Sequence, residues 1–438
     1  MRTIAEAFTE IVRLIGDTFR LWWKNLVPML GWFFAGYAAF RLATAGAIWL
    51  TVHYHDKIAI GLFSFGVLAE IAAVVGMIRT CAGSLFRWRD AAAGPGETTD
   101  PTRQRLVELL TVTMLPLIAV WSAWGFLDER VSQYAGDYLV SQGLGDTPFD
   151  LNDGHWKSYL VPIVVLLVLR RVLEWGDEKW PSRGATLLLI WVEAFFALLV
   201  VVITPTAVRE SKHWFAGRRF WHFTVQYWDS VKDWFKGIKI PIPDGLEFVW
   251  GVFDETMWPL FKAGVAEPLT WLAVTTVVFG HRALAGSGVF RGTRIERLGG
   301  TGTTGSQSRV LAITSKAPNL VLGGLREKFY PTLNAFRLLV GVGPVFLGVV
   351  CFVYTLHYLA AEWFDVGLMH RIGQRDPLTA MWESVVWLTK DAILEPLRIA
   401  LLAAAFDQCI SVSIDKRAEA AAVATAGAAE PELVPATA

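Results

Sequence analysis

The chain has 438 residues, of which 54% are apolar and only 18% charged, with a mean hydropathy of +0.41, 21 Trp, and 40 basic against 40 acidic residues. This composition excludes a disordered chain, which lacks apolar mass, and the balanced charge argues against a nucleic-acid binder. Too little polar material remains to wrap a soluble core of this size, and runs such as 184–203 and 338–360 are long enough as helices to cross ~30 Å of hydrocarbon. The expected fold class is all-α: a polytopic integral membrane helical bundle of about eight transmembrane helices with amphipathic surface helices.

Residues 1–25 read as an amphipathic cytoplasmic surface helix. Ile4, Phe8, Ile11, Ile15, Phe19 and Trp22 recur at three- and four-residue steps, with Arg2, Arg13, Arg20 and Lys24 between them. The stretch lacks the pattern of a cleavable signal peptide. Five spans are expected next, at 26–50, 58–80, 107–127, 158–176 and 184–207, making an N-terminal membrane region over 26–207. Span four is the weakest, because Arg170-Arg171 closes a short apolar run. An extracytoplasmic Trp-rich segment follows at 208–259. The C-terminal membrane region, 260–413, is expected to hold spans at 260–281, 336–361 and 392–413, separated by a cytoplasmic loop at 282–330. The tail 414–438 is Ala-, Pro- and Glu-rich without periodicity and reads as disordered.

Orientation follows from the Lys and Arg count in the connecting segments, because clustered positive charge is hard to translocate. With the N-terminus inside, and basic residues near a span's inner end counted inside, the inner segments carry 23 basic residues and the three short outer ones carry 6; the long outer segment adds 7, matched by 7 acidic residues. The reading is a multi-pass protein of the cell (plasma or inner) membrane with both termini cytoplasmic. Arg-over-Lys usage and abundant Ala point to a GC-rich bacterial genome.

The second half looks duplicated. Lys262-Ala-Gly-Val-Ala-Glu267-Pro268-Leu269 matches Lys390-Asp-Ala-Ile-Leu-Glu395-Pro396-Leu397, each preceded by a Trp (Trp258, Trp387), with the glutamates spaced 128 residues apart. Gly66-Val-Leu-Ala-Glu70 offers a weaker third copy. Parallel repeats of this kind occur in some transporters.

Ionisable residues inside spans are the first candidates for function, because burying them costs several kcal/mol unless they are paired or hydrated. The candidate intramembrane polar site comprises Arg41, Glu70, Glu193, Lys262, Glu267, Lys390 and Glu395, with Arg398 beside them. Lys and Glu five apart sit poorly for contact within one ideal helix. Two readings of the Glu-Pro pairs stay open: they start helices, with Glu near free N–H groups and Pro in the first turn, or they break a span and line a path.

Trp214, Trp221, Trp228 and Phe235 fall seven apart, with Lys212, Arg218, Arg219, Lys232 and Lys236 around them. Trp with basic residues suits the headgroup layer, so an interfacial helix over 211–236 is expected. His53-Tyr-His55-Asp56 contains metal-ligating types, but its spacing fits no metal motif, and interfacial hydrogen bonding is preferred. Only three cysteines occur, without paired spacing, which removes a disulfide framework and a Cys-rich zinc site. Gly300-x-Gly302-x-x-Gly305 has no preceding strand and reads as a flexible linker.

No catalytic motif is found, and no cofactor or metal is expected. Three function classes remain. The first is transport or handling of a lipid or small solute in the cell envelope. The second, close behind, is a structural or assembly subunit of a larger membrane complex, and a membrane-embedded enzyme on a lipid-linked substrate ranks last. The expected partners are the lipid bilayer, other membrane subunits or a second copy of the chain, and no nucleic acid. The topology yields a direct expectation: single Cys probes at Ser141 and Ser230 label from outside, and one at Ser306 labels only after permeabilisation. Labelling of Ser306 in intact cells would reverse the orientation.

Overall fold

The computed structural model describes residues 2–87, 125–143, 155–179, 183–219, 250–286, 342–372 and 377–428, with isolated positions elsewhere between 110 and 230. Most of the expected span 107–127, the linkers near Ala91 and Gly300, and the stripe residues Trp228 and Phe235 lie outside the described residues. The described elements are helices, and no strand occurs among the described residues.

Four helices are long and apolar enough to cross a membrane among the described residues: Ala7–His53, Asp56–Ser84, Leu187–Ser211 and Pro344–Leu368. They fall in α1 (Arg2–His53), α2 (Asp56–Cys81, followed by a short 3-10 turn), α5 (Arg183–Ala216) and α7 (Pro344–Ile372). Helices also stand where three further spans were expected: α4 (Leu160–Lys179), α6 (Glu267–Gly286) and α8 (Pro377–Ala428). Two of these carry the charges that weaken a span by composition, Arg170-Arg171 in α4 and Glu395, Arg398 and Asp407 in α8. A further helix, α3 (Phe126–Gln142), lies in a connection that sequence treats as extracytoplasmic.

Two boundaries differ from expectation. The surface helix and the first span are one helix, α1, of 52 residues. At 1.5 Å per residue it is ~78 Å long, far more than the hydrocarbon thickness. The backbone continues unbroken past Lys24-Asn25 and through Pro28, with the Asn25 side chain turned back to the Leu21 carbonyl rather than capping a new helix. Likewise α8 runs to Ala428, past Lys416, where a disordered tail was expected. Alanine is the strongest helix former, and residues 418–428 are mostly alanine.

Contacts divide the chain into two compact units: residues 1–30, 76–105 and 269–438 in one, and 31–75 with 106–268 in the other. In the second of these, α1 and α2 approach through glycine. A Cβ on Gly36 would overlap the Ala73 Cβ, and one on Gly66 would stand 2.7 Å from the Ala43 Cβ. Small residues at such a crossing let helix backbones come close, which drives packing where lipid removes the hydrophobic contrast. Phe40 and Phe63 then meet with ring centroids 5.8 Å apart, and Phe63 packs on Tyr134 of α3 at 4.9 Å. On α5, Trp191 donates its indole N–H to the Gly61 carbonyl at 3.0 Å, one turn from Phe195, whose ring would touch a Cβ placed on Gly61.

In the other unit, the start of α1 buries Leu14, Thr18, Leu21, Asn25 and Met29, one stripe at three- and four-residue steps. Thr18 and Asn25 tolerate burial because their side chains donate to the carbonyls of Leu14 and Leu21, at 2.7 and 2.9 Å. Of the stripe that looked apolar in sequence, Phe8 and Phe19 are exposed, while Ile11, Ile15 and Trp22 are half-buried. The core continues through Trp271 and Leu272 on α6, Val350 and Tyr354 on α7, and Ile399 to Phe406 on α8. Phe279 and Phe406 stack at 5.1 Å. All three cysteines, Cys81, Cys351 and Cys409, are free and buried here.

The glycine crossing makes a contrast to measure. Gly36→Ala should lower the thermal midpoint in detergent by an amount equivalent to about 1–3 kcal/mol, the usual cost of overpacking. Gly31→Ala, where nothing lies within 4 Å of a new Cβ, should leave it unchanged or slightly raised. Equal melting of the two variants would show that the close approach does not hold the helices together.

Candidate functional site

Each candidate charge was singled out because it lies in or beside an apolar run, so its surroundings decide what it can do. On α3, Arg130, Tyr134 and Asp137 recur at four- and three-residue steps and share a helix face. Arg130 grips Glu70 of α2 with both ends of its fork, its Nε 3.0 Å from Oε2 and its Nη2 on Oε1. It also donates to Gln133 and lies over the Phe40 ring. Asp137 accepts from Arg41 of α1 at 2.8 Å, and the Tyr134 hydroxyl meets the Thr51 hydroxyl at 2.6 Å. Burial pushes the Tyr134 phenol above its ordinary range, which keeps it neutral in this contact. The three contacts form a polar seam that docks α3 on α1 and α2.

Glu193 is buried on α5, 3.4 Å from Arg170 of α4. This pair explains how α4 tolerates an arginine within its apolar run: the next helix brings the counter-charge. In the α1–α2 turn, Asp56 accepts from the Lys57 N–H and from the Tyr159 hydroxyl, while His53 reaches the Trp49 carbonyl and stacks on the Trp49 ring. Among the described residues no group of three or more His, Cys, Asp or Glu is placed to hold a metal ion.

The Glu-Pro pairs do not start helices, which corrects that reading. Glu395 and Pro396 lie inside α8. Glu267 lies where a π-helical turn, Lys262–Ala266, hands over to α6, with helical backbone on both sides. A second π turn, Phe253–Met257, precedes it, and Trp258, Leu260 and Phe261 between the turns are exposed. A proline cannot donate to the carbonyl four residues back, and its ring crowds that carbonyl. The wider π turn before Pro268 relieves this, whereas α8 stays regular through Pro396. Lys262 and Glu267 are both half-buried.

The second copy is where the charges converge. Lys390 donates to Asp365 of α7 at 2.6 Å and lies over the Trp387 ring. Glu395 accepts from Arg398 twice at Oε2, from Nε at 3.1 Å and from Nη2 at 2.7 Å. Arg398 donates through Nη1 to the Tyr354 hydroxyl of α7 at 3.4 Å, and its guanidinium lies 4.5 Å from the centre of the Trp271 ring of α6. Three helices thus meet at one arginine. In the first copy the position three after Glu267 is Thr270, so the Glu–Arg pair belongs to the second copy alone.

One cluster escaped the sequence reading. Asp407 and Gln408 interrupt the apolar run of α8 and are buried. Gln408 donates to Asp17 of α1 at 3.0 Å, and Arg87 stands 3.5 Å from Asp17 and 3.6 Å from Asp407. A charge inside an apolar run was the available signal for Asp407. Asp17 and Arg87 carried none, lying in segments assigned to the surface. Nearby in the chain, Ser84 donates to Asn25 at 3.2 Å.

The expected interfacial helix is interrupted. Helix α5 carries it to Ala216, a turn follows at Gly217, and a new helical turn begins where the Trp221 and His222 N–H groups reach the Arg218 carbonyl. Trp214 and Trp221 are exposed, and Arg218 covers the Trp214 ring at 4.1 Å. Comparison with family models, characterised proteins and solved structures finds no match.

The polar seam predicts an asymmetry. Arg130→Met should destabilise by about 1–3 kcal/mol, because it takes the two-point counter-charge from the Glu70 carboxylate. Adding Glu70→Gln should recover most of that loss. Thermal unfolding of the single and double variants in detergent measures it, and a double variant no better than Arg130→Met would mean that Glu70 and Arg130 are not coupled.

Proposed function

We propose that this chain is a multi-pass protein of the cell membrane, with about eight spans and cytoplasmic termini, that transports or otherwise handles a lipid or small solute and is not an enzyme. The observation that carries the reading is the arginine at which α6, α7 and α8 meet. Arg398, Glu395 and Tyr354 form a polar cluster on a Trp271 ring, next to a proline inside a helix, within otherwise apolar packing. An ionisable cluster in such surroundings is a functional-site hypothesis by default, since packing alone would be served better by apolar side chains.

A second reading is favoured by other observations. Arg41, Glu70, Glu193 and Lys390 are each paired within their own unit, and a helix whose charges are all matched needs no substrate to complete it. Broad apolar faces stay exposed, including Phe352, Leu356, Leu359, Trp363 and Phe364 on α7. Such faces suit lipid, and they equally suit other subunits of a membrane assembly.

Purification in mild detergent separates the readings. Transport or handling predicts a retained lipid or solute in stoichiometric amount, and Glu395→Gln should abolish complementation of a deletion strain while the protein keeps its fold. Stoichiometric co-purifying subunits, together with full complementation by a stable Glu395→Gln variant, would replace this reading with the assembly one.

A further inference from the structure

We infer that Arg398 is the binding group for an oxyanion, a phosphate-type or sulfate-type tetrahedral anion, and that Glu395 is an internal occupant which the ligand displaces. The inference rests on the handling reading and names its ligand class. It begins with an unequal pair. The Arg398 side chain is 15% exposed and the Glu395 side chain 35%, so the cation is the buried member and the carboxylate is the one nearer the surface. Arg398 is also held without help from Glu395. Trp271, almost fully buried, lies under the guanidinium plane, and the buried Tyr354 hydroxyl accepts from Nη1.

Those contacts fix the direction of the fork. Nε and Nη2, the edge that now faces Glu395, form the two-point donor that matches a carboxylate or a phosphate oxygen pair. If Glu395 leaves, the edge stays where it is, aimed at the vacated place. Glu395 is free to leave in a way Arg398 is not. Among the described residues it accepts hydrogen bonds from Arg398 alone, and it is three residues away on the same helix, so a change of rotamer releases it without moving a helix. Two anions cannot share one guanidinium in apolar surroundings, since the second would be an uncompensated charge. The ligand therefore takes the place of the carboxylate, which turns outward or takes up a proton; a singly charged phosphodiester leaves the site neutral as before, and sulfate leaves it with one negative charge. The other ionisable groups that act on the pair are Tyr354 and His357, both on α7 and three residues apart. On α6 the ionisable residues that follow Trp271 are His281 and Arg282, ten and eleven residues further along the helix, ~15 Å at 1.5 Å per residue.

The test uses the full chain in nanodiscs. One arm measures phosphatidylglycerol retained by native mass spectrometry; the other titrates inorganic sulfate in phosphatidylcholine alone and follows the thermal midpoint. Both probes keep their charge between pH 5 and 8. Glu395→Gln should raise binding about tenfold in one arm or both, because it removes the competing charge and leaves the fork. A gain with phosphatidylglycerol alone identifies a lipid headgroup, and a gain with sulfate identifies a soluble oxyanion. Glu395→Asp, which draws the carboxylate back by one methylene, should give a smaller gain and decides the matter if the Gln variant does not fold. Adding Arg398→Gln should erase the gain. No gain from either Glu395 variant, or a gain that survives loss of Arg398, would overturn the assignment. Lipid retained equally by every variant would remove this site while leaving the handling reading standing.

Discussion

A carboxylate or guanidinium that leaves water for apolar helix packing must bring its counter-charge, and much of this chain is arranged around that requirement. The cost of an unmatched charge is several kcal/mol, comparable to the whole stability of a domain. Arg130 and Asp137 therefore do more than decorate α3: they fix which face of that helix meets Glu70 and Arg41, and Tyr134 between them sets the rotation. Arg170 finds Glu193 on the following helix, and Lys390 finds Asp365 on the preceding one. In each case a polar contact chooses the register and apolar packing fills the remainder. Helix α3 shows this best, because it has few buried apolar residues beyond Leu127, Tyr134 and Tyr138 with which to specify its own position.

The all-helical class was legible in sequence because long apolar runs admit no other structure in hydrocarbon. The helix ends were not legible. The break expected near Asn25 and the one expected near Lys416 both rested on a change in polarity, and polarity does not stop a helix: α1 runs on through Pro28, and the alanines after Lys416 favour continuing α8. The facing of α1 was legible only in part: Phe8 and Phe19 are exposed, Ile11, Ile15 and Trp22 are half-buried, and the buried stripe includes Thr18 and Asn25, whose side chains donate to the carbonyls of their own helix.

The candidate charges were visible one by one, but their counterparts were not, since pairing depends on helix neighbours rather than spacing. Asp137, Arg130 and Asp365 sat in segments read as connections. Sequence could say that a lysine and a glutamate five apart make a poor pair within a helix; it could not say that Lys390 turns to α7 while Glu395 turns to Arg398. The Glu-Pro repeat carried a similar ambiguity. The same tripeptide Glu-Pro-Leu is accommodated by a π turn before α6 and by a regular helix in α8, so backbone adjustment around a proline was set by context and not by the motif.

The burial of the cysteines has a consequence for redox chemistry. Cys81 and Cys409 have no accessible surface and Cys351 has 8%, and all three are free thiols within helices. Reactivity requires a thiolate that an oxidant or a second thiol can reach. A protein whose cysteines are sealed in this way gains nothing from disulfide chemistry once folded and offers glutathione no handle. Its tertiary structure is thereby insulated from the redox state of the compartments on either side of the membrane.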